Sequence, residues 1–330
     1  MTRAVRLAAV VLLIVFGAFV PGALAQAPEK VARIGVIGPR TPVDGAKYVG
    51  ALRQGLQQLG WVEGRNIVIE YRWAEGKVER LPGLAAELVQ LKVDVIFAGT
   101  TSATLAAKKS TDTIPVVMAT GGDPVRLGLV ASLARPGGNV TGLAYSVGSE
   151  TFGKQLELLK EVVPKVRRVA ILSNGANPAQ GLATEEVTER ARSLGLQLQV
   201  LEARGPEDFD AAFAAMTKER VGALLVVADA FFGFHRQRLA SLAATHRLPA
   251  IYGLTEHAEA GGLMSYSADV VESFRRAAAY VDKILKGARP SDLPVEQPTK
   301  FELIINKNAA RALGLTIPPS LLLRADRIIQ

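Results

Sequence analysis

Apolar positions along this chain switch period in a regular way, short unbroken runs giving way to helical spacing and back. Arg33-Ile34-Gly35-Val36-Ile37 is one such run, read as a strand buried on both faces. Val49, Leu52, Leu56 and Leu59 follow at three- and four-residue spacing, an amphipathic helix capped by Asp44 and closed by Gly60. Ile67, Ile69, Tyr71 and Trp73 then alternate with Val68, Glu70 and Arg72, which reads as a half-buried strand. Residues 81–91 form another amphipathic helix, 94–98 a third strand, a helix opens near Thr101, and 115–118 is a fourth strand. This βαβα order predicts a parallel sheet covered on both faces.

The pattern restarts in the second half. Residues 168–172 repeat the first strand, and 185–194 repeat the first helix, again closed by a glycine, Gly195. Residues 196–201, 222–227 and 249–252 continue the sheet. Two similar open α/β lobes in tandem account for this repeat. The alternative, one doubly wound sheet of roughly ten strands, is unusually wide for an open sheet.

The first residues change the picture. Arg3 and Arg6 precede an unbroken apolar run of fourteen residues, Leu7 to Val20, and Ala23-Leu24-Ala25 supplies a small-x-small site, so cleavage is expected before Gln26. Fourteen residues fall short of the roughly 20 needed to span a bilayer, which disfavours the alternative of an uncleaved anchor. Residues 1–25 are therefore expected to be a signal peptide and the mature chain periplasmic. The chain has no cysteine, which excludes disulfides, a thiol nucleophile, a cysteine metal site and a lipid tether at the cleavage site. The net charge of +8 becomes +6 when Arg3 and Arg6 leave, and the basic residues are dispersed, which argues against a nucleic-acid partner. About 305 mature residues is the size at which single cores divide in two.

Ligands of open α/β sheets bind beyond the carboxyl ends of the strands, so the loops there are the candidates for binding chemistry. Gly99-Thr100-Thr101-Ser102 opens a helix with free N–H groups and hydroxyls that suit a carboxylate, or it is an ordinary cap. Asp123, in Gly121-Gly122-Asp123-Pro124, either receives an ammonium group or caps a helix after Pro124, the cap being the simpler reading. Asn177 precedes a proline and reads as a cap, whereas Asn174 has fewer structural duties. Asp229 lies beside Phe231 and Phe232, a cation partner next to an apolar wall. Tyr252, before Gly253-Leu254-Thr255, again sets an aromatic ring beside a hydroxyl.

Catalytic constellations are absent from the sequence. His235, His246 and His257 have neither an HExxH pattern nor an acid-flanked pair, so no metal site is expected. There is no GxSxG elbow and no P-loop, and Gly35 and Gly38 fall short of a GxGxxG fingerprint. No enzyme activity and no cofactor are expected.

Several longer motifs carry a resemblance. Gly60-Trp61-Val62-Glu63-Gly64-Arg65-Asn66, Gly122-Asp123-Pro124-Val125 and Arg135-Pro136-Gly137-Gly138-Asn139-Val140-Thr141-Gly142 resemble ABC transporter substrate-binding proteins of the tryptophan/tyrosine type. So do Ala260-Gly261-Gly262-Leu263-Met264-Ser265-Tyr266, Leu293-Pro294-Val295-Glu296-Gln297-Pro298-Thr299-Lys300-Phe301 and Ala312-Leu313-Gly314-Leu315-Thr316-Ile317-Pro318. The likeness runs through residues 31–330 in order. It departs at Ser267-Ala268-Asp269, where relatives commonly carry a glycine-proline-asparagine-like turn.

The resemblance implies a type I periplasmic-binding-protein fold, two Rossmann-like lobes of open parallel sheet joined by a three-crossing hinge. Lobe 1 would comprise 31–144 and about 267–288, lobe 2 145–266 and about 289–330, with crossings near Tyr145-Ser146, Tyr266-Ser267 and 289–294. It also implies a small-molecule ligand and a membrane permease with its ATPase, met by what is expected to be a monomer. Thr100, Thr101, Ser102, Asp123, Tyr145, Ser146, Asn174, Asn177, Asp229, Phe231, Tyr252 and Tyr266 are the expected ligand-binding residues. The expected mechanism is capture by closure. The ligand's carboxylate would dock on the Thr100-Thr101 helix start, its ammonium on Asp123 or Asp229, and an apolar side chain between Phe231, Tyr145 and Tyr252. Three rival classes are a ligand-sensing partner of a membrane receptor, a transcription regulator, whose N-terminal DNA-binding helices are replaced here by the leader, and an exported hydrolase, which lacks a catalytic cluster.

Overall fold

The computed structural model describes residues 31–145 and 150–330; the expected signal peptide, its cleavage site and Ser146 lie outside the described residues. The first half alternates β1 (Ala32–Gly38), α1 (Pro42–Gln58), β2 (Ile67–Trp73), α2 (Leu81–Gln90), β3 (Val95–Ala98), α3 (Thr101–Ser110), β4 (Val116–Gly121) and β5 (Val140–Ala144). All five strands pair in parallel, in the order β2-β1-β3-β4-β5. Residues alternate across this sheet with the period of the pleat. Ile34, Val36, Phe97 and Val117 meet Leu52 and Leu56 of α1 on one face. Ile37, Ile96 and Met118 meet Leu84 and Leu88 of α2 and Ala103 and Ala107 of α3 on the other. Gly142 sits at φ +125°, and a Cβ there would lie 2.2 Å from the carbonyl oxygen of Met118 on the neighbouring strand. Only glycine allows β4 and β5 to approach that closely.

The first helix starts earlier than its apolar spacing implies. Thr41 is its cap, accepting from the Asp44 N–H at 3.1 Å, and Pro42 occupies the first helical position. Asp44 falls in the first turn rather than at the cap. Gly60 ends the helix at φ +91°, as the pattern required.

The second half contains α4 (Glu150–Val162), β6 (Arg168–Ser173), α5 (Pro178–Ser193), β7 (Gln197–Glu202), α6 (Asp208–Lys218), β8 (Ala223–Val226), α7 (Ala230–Phe234), α8 (Arg236–Thr245), β9 (Ala250–Tyr252), α9 (Thr255–Glu259) and β10 (Met264–Ala268). Then follow α10 (Val270–Leu285), β11 (Phe301–Asn306), α11 (Lys307–Ala312), α12 (Pro319–Arg324) and β12 (Arg327–Ile329). The second sheet runs β12-β11-β10-β9-β8-β6-β7. It is parallel except between β10 and β11, so one antiparallel pair interrupts the expected parallel sheet. Two separate sheets, each with its own buried cores, replace the alternative of a single wide one.

Three passages of chain join the sheets. The first follows β5. At the second, α10 leaves β10 and packs on α1 and the first sheet through Phe274, Ala277, Ala278 and Val281. Asp269 caps it, accepting from the Glu272 N–H at 2.9 Å, which gives the divergent Ser267-Ala268-Asp269 segment a structural role. The third passage falls later than expected. Val295 is buried in the first lobe's core, and Glu296 exchanges hydrogen bonds with the edge strand β5, donating to Gly142 at 3.1 Å and accepting from Ala144 at 2.8 Å. Residues 293–296 therefore extend the first sheet, and the chain crosses at 297–300. Tyr280 on α10 anchors that extension by donating to the Pro294 carbonyl at 2.7 Å. Among the described residues, no helix is long and apolar enough to cross a membrane.

Candidate functional site

A cavity of about 140 Å³ lies between the two sheets, where the carboxyl ends of β1, β3, β4 and β8 face each other. Side chains from both lobes form its walls, so the site exists only because the chain brings the strand ends of two sheets together.

The first lobe contributes a polar wall. Thr100 caps α3, its hydroxyl accepting from the Ala103 N–H at 3.3 Å. Thr101 Oγ1 accepts from the Gly122 N–H at 2.8 Å and so ties the loop after β3 to the loop after β4. Thr120 Oγ1 closes the same junction by donating to the Gly99 carbonyl at 2.7 Å. The N–H groups of Thr101 and Ser102 belong to the first turn of α3, which has no carbonyl of its own to offer them. Asp123 also lines the cavity, but its Oδ1 accepts from the N–H groups of Val125 and Arg126 at 3.1 and 3.0 Å. No helix follows Pro124. Asp123 caps a turn instead.

The second lobe contributes a carboxylate. Asp229 caps α7, and its Oδ1 accepts from the Phe231 N–H at 2.8 Å and from Asn174 Nδ2 at 3.1 Å. Its Oδ2 accepts from Asn177 Nδ2 at 2.7 Å. Protein surrounds the carboxyl on every side but the cavity, and this burial pushes its pKa up, while the hydrogen bonds from Asn177, Phe231 and Asn174 pull against that. All three donors are neutral and none of the described residues forms an ion pair with Asp229, although the Arg40 guanidinium, committed to Glu256 and Asp44, also pulls its pKa down.

Asn177 also caps α5 by accepting from the Ala179 N–H at 3.1 Å. Asn174 does have structural duties, since its Oδ1 accepts from the Ala176 N–H at 2.9 Å and its amide braces Asp229. It stands behind the cavity rather than in its wall.

Of the expected residues, Thr100, Thr101, Ser102, Asp123, Tyr145, Asn177, Asp229 and Phe231 line the cavity together. Tyr252 and Tyr266 do not. Tyr252 is fully buried behind β9, its ring stacked on His257 at 4.7 Å, and Tyr266 stacks on Phe301 in the second lobe's main core. Each belongs to a strand whose pleat turns that side chain inward. Tyr145, at the first crossing, donates its hydroxyl to the Gly253 carbonyl and so joins the lobes as well as lining the space between them.

Sequence reasoning missed Arg40, Tyr48, Trp73, Phe152 and Gln155, all in the cavity wall. Arg40 follows the first strand, so the same reading of strand ends could have found it. Phe152 and Gln155 lie on α4 and left no such signal.

Arg40 and Tyr48 link the two lobes through Glu256. Arg40 donates to Glu256 Oε1 of α9 at 2.8 Å and to Asp44 at 2.6 Å, while Tyr48 donates to Glu256 Oε2. Arg236 of the second lobe completes the cluster on Asp44 at 2.7 Å. Burial alone would raise the Glu256 carboxyl, but Arg40 opposite and the bonds from Tyr48 and Arg40 outweigh it and hold the pKa at about 2.

This two-lobe architecture, with its cavity at the strand ends, recurs in known proteins. A family model described as ABC transporter substrate binding protein matches residues 42–329. A tyrosine-binding protein of Clostridioides difficile (strain R20291) is 25% identical over 262 residues, 79% of this chain and 75% of that one. A conserved domain protein from Vibrio cholerae O1 biovar eltor superposes with a TM-score of 0.85 at 29% identity, over 91% of this chain and all of that one. An ABC domain from Streptococcus pneumonia in complex with L-Trp superposes with a TM-score of 0.84 at 27% identity, over 90% of this chain and 99% of that one. The family is one of solute-binding proteins that take a small-molecule ligand and serve ABC transporters. With the type I periplasmic-binding-protein fold and a match that spans nearly all the described residues, the chain belongs to the ABC transporter substrate-binding protein family.

Proposed function

We propose that this protein captures an amino acid with an aromatic or other apolar side chain and delivers it to an ABC importer. The enclosed carboxylate of Asp229, which has no ion-pair partner among the described residues, carries this reading. Burial disfavours the charged form of this carboxyl, and a ligand ammonium would favour it with a charge-assisted bond. Opposite it, the start of α3 offers N–H groups and hydroxyls to the ligand's carboxylate. Phe231, Tyr145 and Phe152 supply the apolar surface between them. Asp229 takes precedence over Asp123 as the ammonium partner, because Asp123 is committed to its turn. Two relatives support the ligand class, one a tyrosine-binding protein and one bound to L-Trp.

Closure drives the capture. Drawing the lobes together removes water from the cavity and strengthens each polar contact, and the ligand shifts the balance by its differential affinity for the closed form. In this reading the leader directs a monomeric chain to the periplasm, and the rims of both lobes meet the permease, whose ATPase drives uptake.

Calorimetric titration with aromatic and branched amino acids tests the proposal. Asp229→Ala is expected to weaken binding at least tenfold while leaving the fold intact by circular dichroism. Affinity within twofold of the wild type would remove Asp229 as the anchor. In a thermal-shift screen, a ligand at one hundred times its dissociation constant adds about 2.7 kcal/mol of stability. Absence of any shift across the amino acids would retire the amino-acid reading.

A further inference from the structure

Asn177 caps α5 and Gln180 stands three residues later, the spacing at which a glutamine reaches back to the N–H of the cap. Here that N–H is already engaged, donating to the Asn174 carbonyl at 3.0 Å. Gln180 turns elsewhere. Its Oε1 accepts from the Asn174 N–H at 3.3 Å, and its Nε2 donates to the Ala228 carbonyl at 2.9 Å. A backbone N–H only donates and a carbonyl only accepts, so the two partners together fix the orientation of the amide. The residue is 5% exposed, and both ends of its amide are held by the protein.

The two partners belong to the loops that build the Asp229 site. Asn174 follows β6, and its Nδ2 donates to Asp229 Oδ1 at 3.1 Å. Ala228 is the residue before Asp229. One amide therefore pins the backbone that leads into the carboxylate and the backbone of an asparagine that braces it. Asn177, at the start of the same helix, supplies the other brace at 2.7 Å. We propose that Gln180 is a positioning residue, which holds the Asp229 carboxylate where the ligand's ammonium meets it and acts through Asp229 rather than on the ligand. The inference rests on the amino-acid reading of the cavity, in which Asp229 is the ammonium partner. Charge-assisted hydrogen bonds are short, so their strength depends on placement. Supporting contacts that let a binding group drift by about 1 Å leave a site present but too loose. Leucine or methionine in place of Gln180 is of similar size but joins neither loop, while Asn177 still caps the helix.

The test compares each amino acid with its des-amino acid, which keeps the carboxylate and the side chain and lacks only the ammonium. Calorimetry would pair L-tryptophan with indolepropionate, L-phenylalanine with phenylpropionate and L-leucine with isocaproate. In the wild type, the amino acid of at least one pair is expected to bind tenfold or more tightly than its partner. Gln180→Leu and Gln180→Met, each checked for folding by circular dichroism, should cut that preference at least threefold by weakening the amino acid while the des-amino acid holds. A residue with only a general structural role would weaken both members alike and leave the preference unchanged. A preference that falls less than threefold in either folded variant therefore overturns the proposal. Equal affinities within every pair in the wild type remove Asp229 as the ammonium partner, and the proposal with it. Failure of every ligand to bind the wild type removes the amino-acid reading itself, a result seen before any variant is made.

Discussion

His257 shows how much a single side chain can depend on its surroundings. It is fully buried, stacked on Tyr252, with Nδ1 3.3 Å from the Leu254 carbonyl and Nε2 3.1 Å from the Phe232 carbonyl. Burial holds its pKa down at about 4, against the pull of the neighbouring Glu256 and the two carbonyls. The fold therefore keeps the neutral ring, which can donate to one of the two carbonyls. Its contribution is complete above the unfolded value of about 6.5 and is lost as pH falls from there toward 4, about 3 kcal/mol in all. Glu256 acts in a separate window. Its carboxyl is depressed, so its contribution is lost only as pH falls below about 4.5 toward 2. The drop in urea midpoint between pH 7 and pH 5 should be larger in the wild type than in His257→Gln, half-exposed His235 adding to the drop in both proteins and the raised carboxyls of Asp229 and Glu186 opposing it in both. Equal slopes in the two proteins would locate the titration elsewhere. From sequence, His257 carried no more signal than His235 or His246. What distinguishes it is burial, which no spacing reports.

At the scale of elements, α10 joins the lobes in the most direct way. It leaves the second sheet at β10, packs against α1 and hands the chain on to the edge of β5. Its apolar stripe, Phe274, Ala277, Ala278, Val281 and Ile284, follows the three- and four-residue rule. The place of this segment beside the first lobe was expected only from the resemblance. The Asp269 cap holds its first turn, and Asp269→Ala should cost ~1 kcal/mol in a chemical denaturation curve. An unchanged midpoint would mean that water replaces the carboxylate without loss. The apolar pattern found the strands and helices well because each is covered on a definite face. It gave no sign of the third crossing, which the resemblance set at 289–294, because Val295 and Glu296 join a sheet already complete in the chain's first half. Pairing so distant in sequence leaves no local period.

Across the whole molecule, the lobes are held by a buried charge cluster as well as by chain crossings. Arg40, Asp44 and Tyr48 come from one lobe, Glu256 and Arg236 from the other. Gly233 leaves room for it, since a Cβ there would lie 2.0 Å from Glu256 Oε1. Removing one member of a buried pair strands the others, at roughly 3–5 kcal/mol in comparable cases. That cost falls on the closed form alone if opening returns each partner to water. Glu256→Gln should therefore speed ligand release at least tenfold in stopped-flow measurements and enlarge the unliganded particle in small-angle scattering. Release and scattering that match the wild type would show that the cluster contributes nothing to closure. By itself the sequence determined the α/β alternation, the two-lobe repeat and the loops that line the cleft, because hydrophobic period and strand-end position are local properties of a chain. Tertiary structure alone decided that Tyr252 and Tyr266 turn into the core, that Gln155 and Phe152 reach the cavity, and that Arg40 faces Glu256, 216 residues away. Those outcomes depend on which surfaces two separately folded sheets present to each other, and no spacing along the chain encodes that.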